Sequence, residues 1–445
     1  MVNDMTSGKP SRVLFFFSMP MVLGNIFQQF YNIIDSVVVG NFMGPKALAA
    51  VGASYPITFV CIAVATGASV GCSVVISQMF GSKDIEKMKA AIHTSLISIA
   101  IFSLILMIIG LISSRLILNL LNTPKDIFED ANNYIRIYFS GVIFLFIYNI
   151  TTSVFNSLGD SKTPLSFLIF SAIVNVLLDL LFVIKFKLGV PGVAYATLIA
   201  QGVSAILSLS YVLKKVSKIK LKEKAKLFDI DIFKKMCSVA IPSIIQQSIV
   251  SVGNLFVQAL VNGYGYETIA GYTAATKIDS ITIMPMVSLS SAVSTFTAQN
   301  VGGKKNERVK NGYRSALLMI GVFCTFITLI LFAFGSKFIG IFVDSNGNDQ
   351  IINIGAEYLR VVSIFYFLMG IMVITNGVLR GSGDIKVFMF SSLTNLSTRI
   401  LLAYLLAYII GQRAIWWAIP LGWLFASSIS VCRYRSGKWK GKAII

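Results

Sequence analysis

Apolar runs of about 18 residues or more recur from one end of this chain to the other, each long enough for a helix to cross the hydrocarbon core of a bilayer. Of its 445 residues 56% are hydrophobic and only 13% charged, and the mean hydropathy is +0.78, well beyond what a soluble core needs. The fold class that follows is an all-α, polytopic integral membrane protein. Runs broken by Gly/Pro/Lys-rich turns predict about twelve helices. They cover 13–40, 53–79, 91–113, 132–156, 164–185, 190–213, 237–261, 272–299, 313–335, 355–379, 387–410 and 414–433. The polar start "MVNDMTSGKPSR" leads into the first run without a small-residue cleavage site, so that span is expected to be retained.

The connections alternate in charge. One set carries Lys9 and Arg12, Lys83, Lys87 and Lys89, Lys162, the run 214–235, the run 304–310, Arg380 and Lys386, and the tail from Arg433 to Lys442. The other carries only Lys46, Arg115, Lys125, Lys185, Lys187, Lys337 and Arg413. The positive-inside rule puts the richer set, and with it both termini, on the cytoplasmic side of a cell membrane. The net charge of +19 then reads as topology and attraction to anionic lipid, not as nucleic-acid binding, since no basic-aromatic module accompanies it. The five cysteines have neither metal-like nor disulfide-like spacing. His93 is the only histidine, so a catalytic or metal site built on histidine is excluded and no enzyme constellation remains.

The longest basic connection, "KKVSKIKLKEKAKLFDIDIFKK" (214–235), lies mid-chain and precedes a second series of six spans. The two series resemble each other in order. "SMPMVLGNIFQQFYNIID" (18–35) is answered by "AIPSIIQQSIVSVGN" (240–254), "GPKALAAVGAS" (44–54) by "GYETIAGYTAA" (265–275), and "SQMFGSKD" (77–84) by "AQNVGGKKN" (298–306). "SLGDSKTP" (157–164) meets "GSGDIKVF" (381–388), and "NVLLD" (175–179) meets "NLSTR" (395–399). The chain is a duplicated six-helix unit: an N-lobe over 1–213, a basic linker over 214–236 and a C-lobe over 237–445. Because six is even, the halves share one orientation about an axis along the membrane normal, as in transporters that rock two bundles.

Asn25, Gln28, Gln29, Asn32, Asp35 and Ser36 recur every three or four residues in the first span and make one polar stripe. Gln246, Gln247, Ser251, Asn254 and Gln258 repeat it in the seventh. The amides suit interhelical hydrogen bonding, whereas a carboxylate at midspan costs at least about 2.5 kcal/mol and is seldom kept without a partner or a task. The fifth span offers one: Asn175 and Asp179 are four apart and share a face. Thr197, and Asn149 and Asn156 on one face of the fourth span, can add oxygens. Such a site collects a small hard cation such as Na⁺, or holds a proton because desolvation and mutual repulsion disfavour two charges. The second half carries Asn254 and Arg399 instead of the acid pair; Arg399 is expected to pair with Asp279 or to cap carbonyls.

With these features the chain resembles the multidrug and toxic compound extrusion (MATE) family, in the drug-exporter branch of the multidrug/oligosaccharidyl-lipid/polysaccharide exporter superfamily. The resemblance covers nearly the whole chain and is most specific in the spacing from Asp179 to Thr197. It implies export of amphipathic, often cationic, drugs and toxins in exchange for Na⁺ or H⁺ by alternating access, with no cofactor beyond that ion and a monomer sufficient for function. It implies that Asp35, Asn175, Asp179 and Thr197 form the cation site, that Gln28 and Tyr31 line the cleft beside it, and that Pro20 lets the first helix bend. Phe27, Tyr138, Gln246, Asn254, Gln258, Met284 and Met286 are expected to line the drug cleft. A flippase for lipid-linked saccharide, from the same superfamily, is the alternative, and the acidic first half argues against it.

Overall fold

The computed structural model describes residues 4–219, 225–342 and 349–445, which are helices joined by short turns with no strand among the described residues. Residues 220–224 of the expected linker and the side chains of Asn32 and Ser36 lie outside the described residues. Among the described residues eleven helices are long and apolar enough to cross a membrane. They are α1 (Pro10–Gly44), α2 (Lys46–Gly81), α3 (Ile85–Leu120), α4 (Lys125–Ser157), α5 (Lys162–Lys185), α6 (Val190–Ser217), α7 (Ile230–Asn262), α8 (Tyr266–Gly302), α9 (Asn306–Gly340), α12 (Ile385–Ile410) and α13 (Arg413–Arg435). Between α9 and α12, α10 (Asp349–Ile364) and α11 (Tyr366–Ser382) meet at a 53° bend and count as a twelfth when taken as one span. The observed helices overrun most of the expected spans by several residues, because their polar ends continue past the apolar windows.

The turns repeat as the sequence does. Gly44 between α1 and α2 has φ 81° and ψ 178°, and Gly265 before α8 has φ 86° and ψ 173°. That region is essentially closed to any residue with a Cβ. Gly189 and Gly411, before α6 and α13, share a second such conformation (φ 65°, ψ −150°; φ 59°, ψ −141°). Lys83 and Lys304 are both left-handed, with φ 62° and 57°.

The chain divides into two compact units, Leu23–Ile244 and Met5–Val22 with Ile245–Ile445. α1 and α7 each change unit within a turn after their prolines, Pro20 and Pro242. The leading part of each helix therefore packs in the unit that does not hold its remainder.

In the first unit, α7 lies close against α2 at Gly67 and Gly71. A Cβ on Gly67 would stand 2.7 Å from Ile244 Cα, and one on Gly71 2.6 Å from Ala240 Cβ. Ser73 and Ser157 hydroxyls meet at 3.0 Å where α2 crosses α4. In the second unit a Cβ on Gly381 would stand 2.2 Å from the Ser294 carbonyl, so α8 and α11 make the equivalent close crossing. Here too the leading segment is tied down: the Met5 N–H donates to Gln299 Oε1 at 3.0 Å, and Arg308 Nε donates to the Met5 carbonyl at 3.1 Å.

Among the described residues each unit also carries one nearly buried ion pair between the turn after its fourth span and the end of its last. Lys215 Nζ meets Asp160 at 2.9 Å in the first and Arg433 Nε meets Asp384 at 2.5 Å in the second. Burial alone would raise the Asp160 carboxyl, but the Lys215 ammonium and the Thr163 N–H and hydroxyl outweigh it and hold it below the ordinary carboxylate value. A lowered folded-state pKa stabilises above the unfolded value of about 3.9, and that contribution is lost as pH falls through the folded value. The first unit should therefore weaken toward acid through this contact. Removing one partner strands the other charge, so Asp160→Ala is expected to cost about 3–5 kcal/mol, read as a fall in Tm of the purified protein.

Candidate functional site

Three contacts set α5 and α6 face to face. Ser204 Oγ donates to the Phe167 carbonyl at 3.2 Å and Ser171 Oγ to the Ala200 carbonyl at 3.1 Å. One turn further along both antiparallel helices the same register brings Asn175 to Thr197. The amide is oriented by its surroundings, since an oxygen turned toward two carboxylates would meet only acceptors. With its NH₂ facing them, Asn175 donates to Asp35 Oδ1 at 3.1 Å and to Asp179 Oδ2 at 2.9 Å. Its oxygen accepts from the Thr197 hydroxyl at 3.3 Å and the Thr197 N–H at 3.2 Å. The spacing of these residues thus closes into one network.

Asp179 and Asn175 are buried, 0% and 1% exposed, while Asp35 is half-buried. The two carboxyl groups lie within hydrogen-bond reach of each other, and Tyr31 reaches both Asp35 and Thr197. Among the described residues Asp179 Oδ1 is buried without a hydrogen-bond partner. A buried carboxylate oxygen in that state calls for a proton or a cation. The oxygens of Asp35, Asp179 and Thr197 are the hard donors that Na⁺ or H⁺ would use. Just after Asp179 the helix widens into a π-turn, Leu181–Lys185, a feature frequent at functional sites.

Tyr138 lines a small cavity with Thr197, Tyr134 and Gln201, and its hydroxyl has no partner. Sequence reasoning missed Tyr134, which stands one turn before Tyr138 on the same face. Among the described residues, no hydrogen bond joins Asn149 or Asn156 to the carboxylates: Asn149 Nδ2 donates to the Leu145 carbonyl of its own helix at 2.8 Å, and Asn156 Oδ1 is buried and unmatched. Gln28 and Phe27 are exposed, as is Asn254. Gln246 and Met284 are half-buried, and Gln258 donates to Asn262 at 2.9 Å on its own helix. Met286 is fully buried in the second unit. Pro20 is buried within α1.

The second unit corrects one expectation. Arg399 makes no ion pair with Asp279 among the described residues; Tyr366 and Tyr358 hydroxyls donate to the two Asp279 oxygens instead, at 2.5 and 3.2 Å.

A family model described as MatE matches residues 20–181 and 242–405, one match in each half. The probable multidrug resistance protein YpnP of Bacillus subtilis (strain 168) is 30% identical over 98% of this chain and 97% of its own length. The probable multidrug resistance protein NorM of Thermotoga maritima is 25% identical over 96% of this chain and 93% of that protein. A crystal structure of a MATE transporter in complex with MaL6 superposes with a TM-score of 0.92, at 23% identity and coverage of 98% and 99% of the two chains, a likeness of fold.

Proposed function

Since the chain belongs to the MatE family of multidrug efflux transporters, we propose that it is a secondary-active exporter of amphipathic, often cationic, organic compounds, driven by inward movement of H⁺ or Na⁺. The Asn175-bridged pair of Asp35 and Asp179, with one buried carboxylate oxygen left unmatched, carries this reading. The coupling cation binds there, a bound drug leaves as it does so, and the protein alternates between outward and inward access. An inward-negative potential favours cation entry by about 2.3 kcal/mol per charge per 100 mV. Pro20 and Pro242, beside the points where α1 and α7 change unit, are the positions we assign to bending, because proline removes a helical hydrogen bond. The Lys/Arg asymmetry of the connections supports a plasma-membrane orientation with both termini cytoplasmic, and two lobes in one chain support a working monomer.

The test is uptake or extrusion of a cationic dye by proteoliposomes under separately imposed H⁺ and Na⁺ gradients. Acceleration by one gradient identifies the coupling ion. Dye flux that neither gradient changes would overturn the antiport reading and favour passive flux.

A further inference from the structure

The first unit pairs two carboxylates; among the described residues the second holds the buried unmatched donors Arg399 Nε and Trp416 Nε1, with an unmatched acceptor, Asn395 Oδ1, a turn before Arg399. Arg399 lies within α12 and is half-buried. A guanidinium stays charged in a protein and presents five N–H donors and no acceptor. Its Nε is buried with no partner, its Nη2 reaches only the Tyr272 hydroxyl at 3.4 Å, and no carboxylate lies within 4.0 Å among the described residues. Asp279, the acid of this region, acts on Arg399 through space from beyond ion-pair distance, and its oxygens accept from Tyr366 and Tyr358. Trp416 is 0% exposed and stacks on Tyr272 with ring centroids 6.4 Å apart, and its Nε1–H is a second buried donor without an acceptor. Arg399 and Trp416 thus flank the same tyrosine with donors unmatched.

Buried donors left unpaired are costly, and a cation inside a membrane protein normally acquires a counter-group. An acceptor-only group of negative charge meets both requirements. We propose that Arg399, Tyr272 and Trp416 form a binding site for a monovalent anionic group, supplied either by free halide or by the carboxylate of an exported compound. The second source rests on the exporter reading above, and the first does not.

Trp416 provides a readout without transport. Bromide titrated against gluconate into the purified protein is expected to quench tryptophan fluorescence saturably. Arg399→Gln should weaken that binding at least about tenfold, the effect of a lost charge-assisted hydrogen bond. Asp35→Asn should leave it unchanged, and Trp416→Phe, which removes both the reporter and one of the donors, should abolish the saturable component of the quenching and weaken halide-induced thermal stabilisation. Acetate, which does not quench, is titrated against bound bromide, and saturable recovery of the fluorescence reports the carboxylate. In proteoliposomes, a carboxylate-bearing cationic dye is then compared with its methyl ester. Selective loss of the acid in Arg399→Gln identifies the compound's carboxylate; equal loss of both, with export dependent on halide, identifies the free anion. If neither bromide nor acetate binds saturably to the wild type, or if Arg399→Gln binds them as the wild type does, the site is hydrated only and the proposal fails. Absence of transport in the wild type would count against the exporter reading and leave the binding result standing.

Discussion

Asp179→Asn and Asp35→Asn are each expected to reduce ion-driven export to the undriven level while leaving the protein folded. The substitution keeps the shape and hydrogen-bonding capacity of the side chain and removes the charge. In Asp179→Asn the Asn175 amide still finds an acceptor in the new amide oxygen, and Asp35 still accepts from Asn175. What is lost is the second carboxylate in a site whose remaining oxygens come from Asp35 and Thr197. If one cation enters per cycle, the forfeited drive is about 2.3 kcal/mol per 100 mV, about fifty-fold in the drug gradient that can be held. The measurement is steady-state dye accumulation in proteoliposomes at a set potential, with Tm confirming the fold. Undiminished accumulation in both variants would place the coupling site elsewhere.

The spans were legible because bilayer thickness sets a minimum length and lipid tolerates no unpaired backbone. The duplication was legible too, and it reaches the backbone: Gly44 and Gly265 share a conformation that only glycine adopts readily. Asn175 and Asp179 could be grouped from their spacing on one helix face, whereas Thr197 was one of three candidates to join them until the pairing of α5 and α6 brought it to Asn175. Other features were hidden by the composition itself. Where nearly every residue is apolar, periodicity cannot separate a lipid-facing side from a packed one. Met284 and Met286 were both expected at a cleft, yet two residues on a helix point to nearly opposite sides, and Met286 is the one in the core. The partners of Asp279 were equally hidden, because Tyr358 and Tyr366 lie about eighty residues away on either side of the bend at Phe365. Nor does a proline in a sequence reveal that the helix before and after it packs in different units.

Gly71→Leu should be the most damaging substitution among the glycines of α2, because the obstacle is backbone. A Cβ at Gly71 would approach Ala240 N to 2.6 Å, and one at Gly67 would approach Ile244 N to 2.7 Å. A flexible side chain can move aside; the backbone of α7 can only be pushed away. Overpacking typically costs about 1–3 kcal/mol where side chains yield, so here at least about 3 kcal/mol is expected. That cost falls on the leading segment of α7, which belongs to the first unit although its continuation does not. The substitution should therefore lower Tm by several degrees and depress transport together. Gly321→Leu is the matched control, with nothing within 4 Å of the added Cβ, and it should leave both near wild type. Equal behaviour of the two variants would mean that close approach of α2 and α7 contributes little to the first unit. A stable Gly71→Leu protein that fails to transport would assign the contact to motion instead of folding.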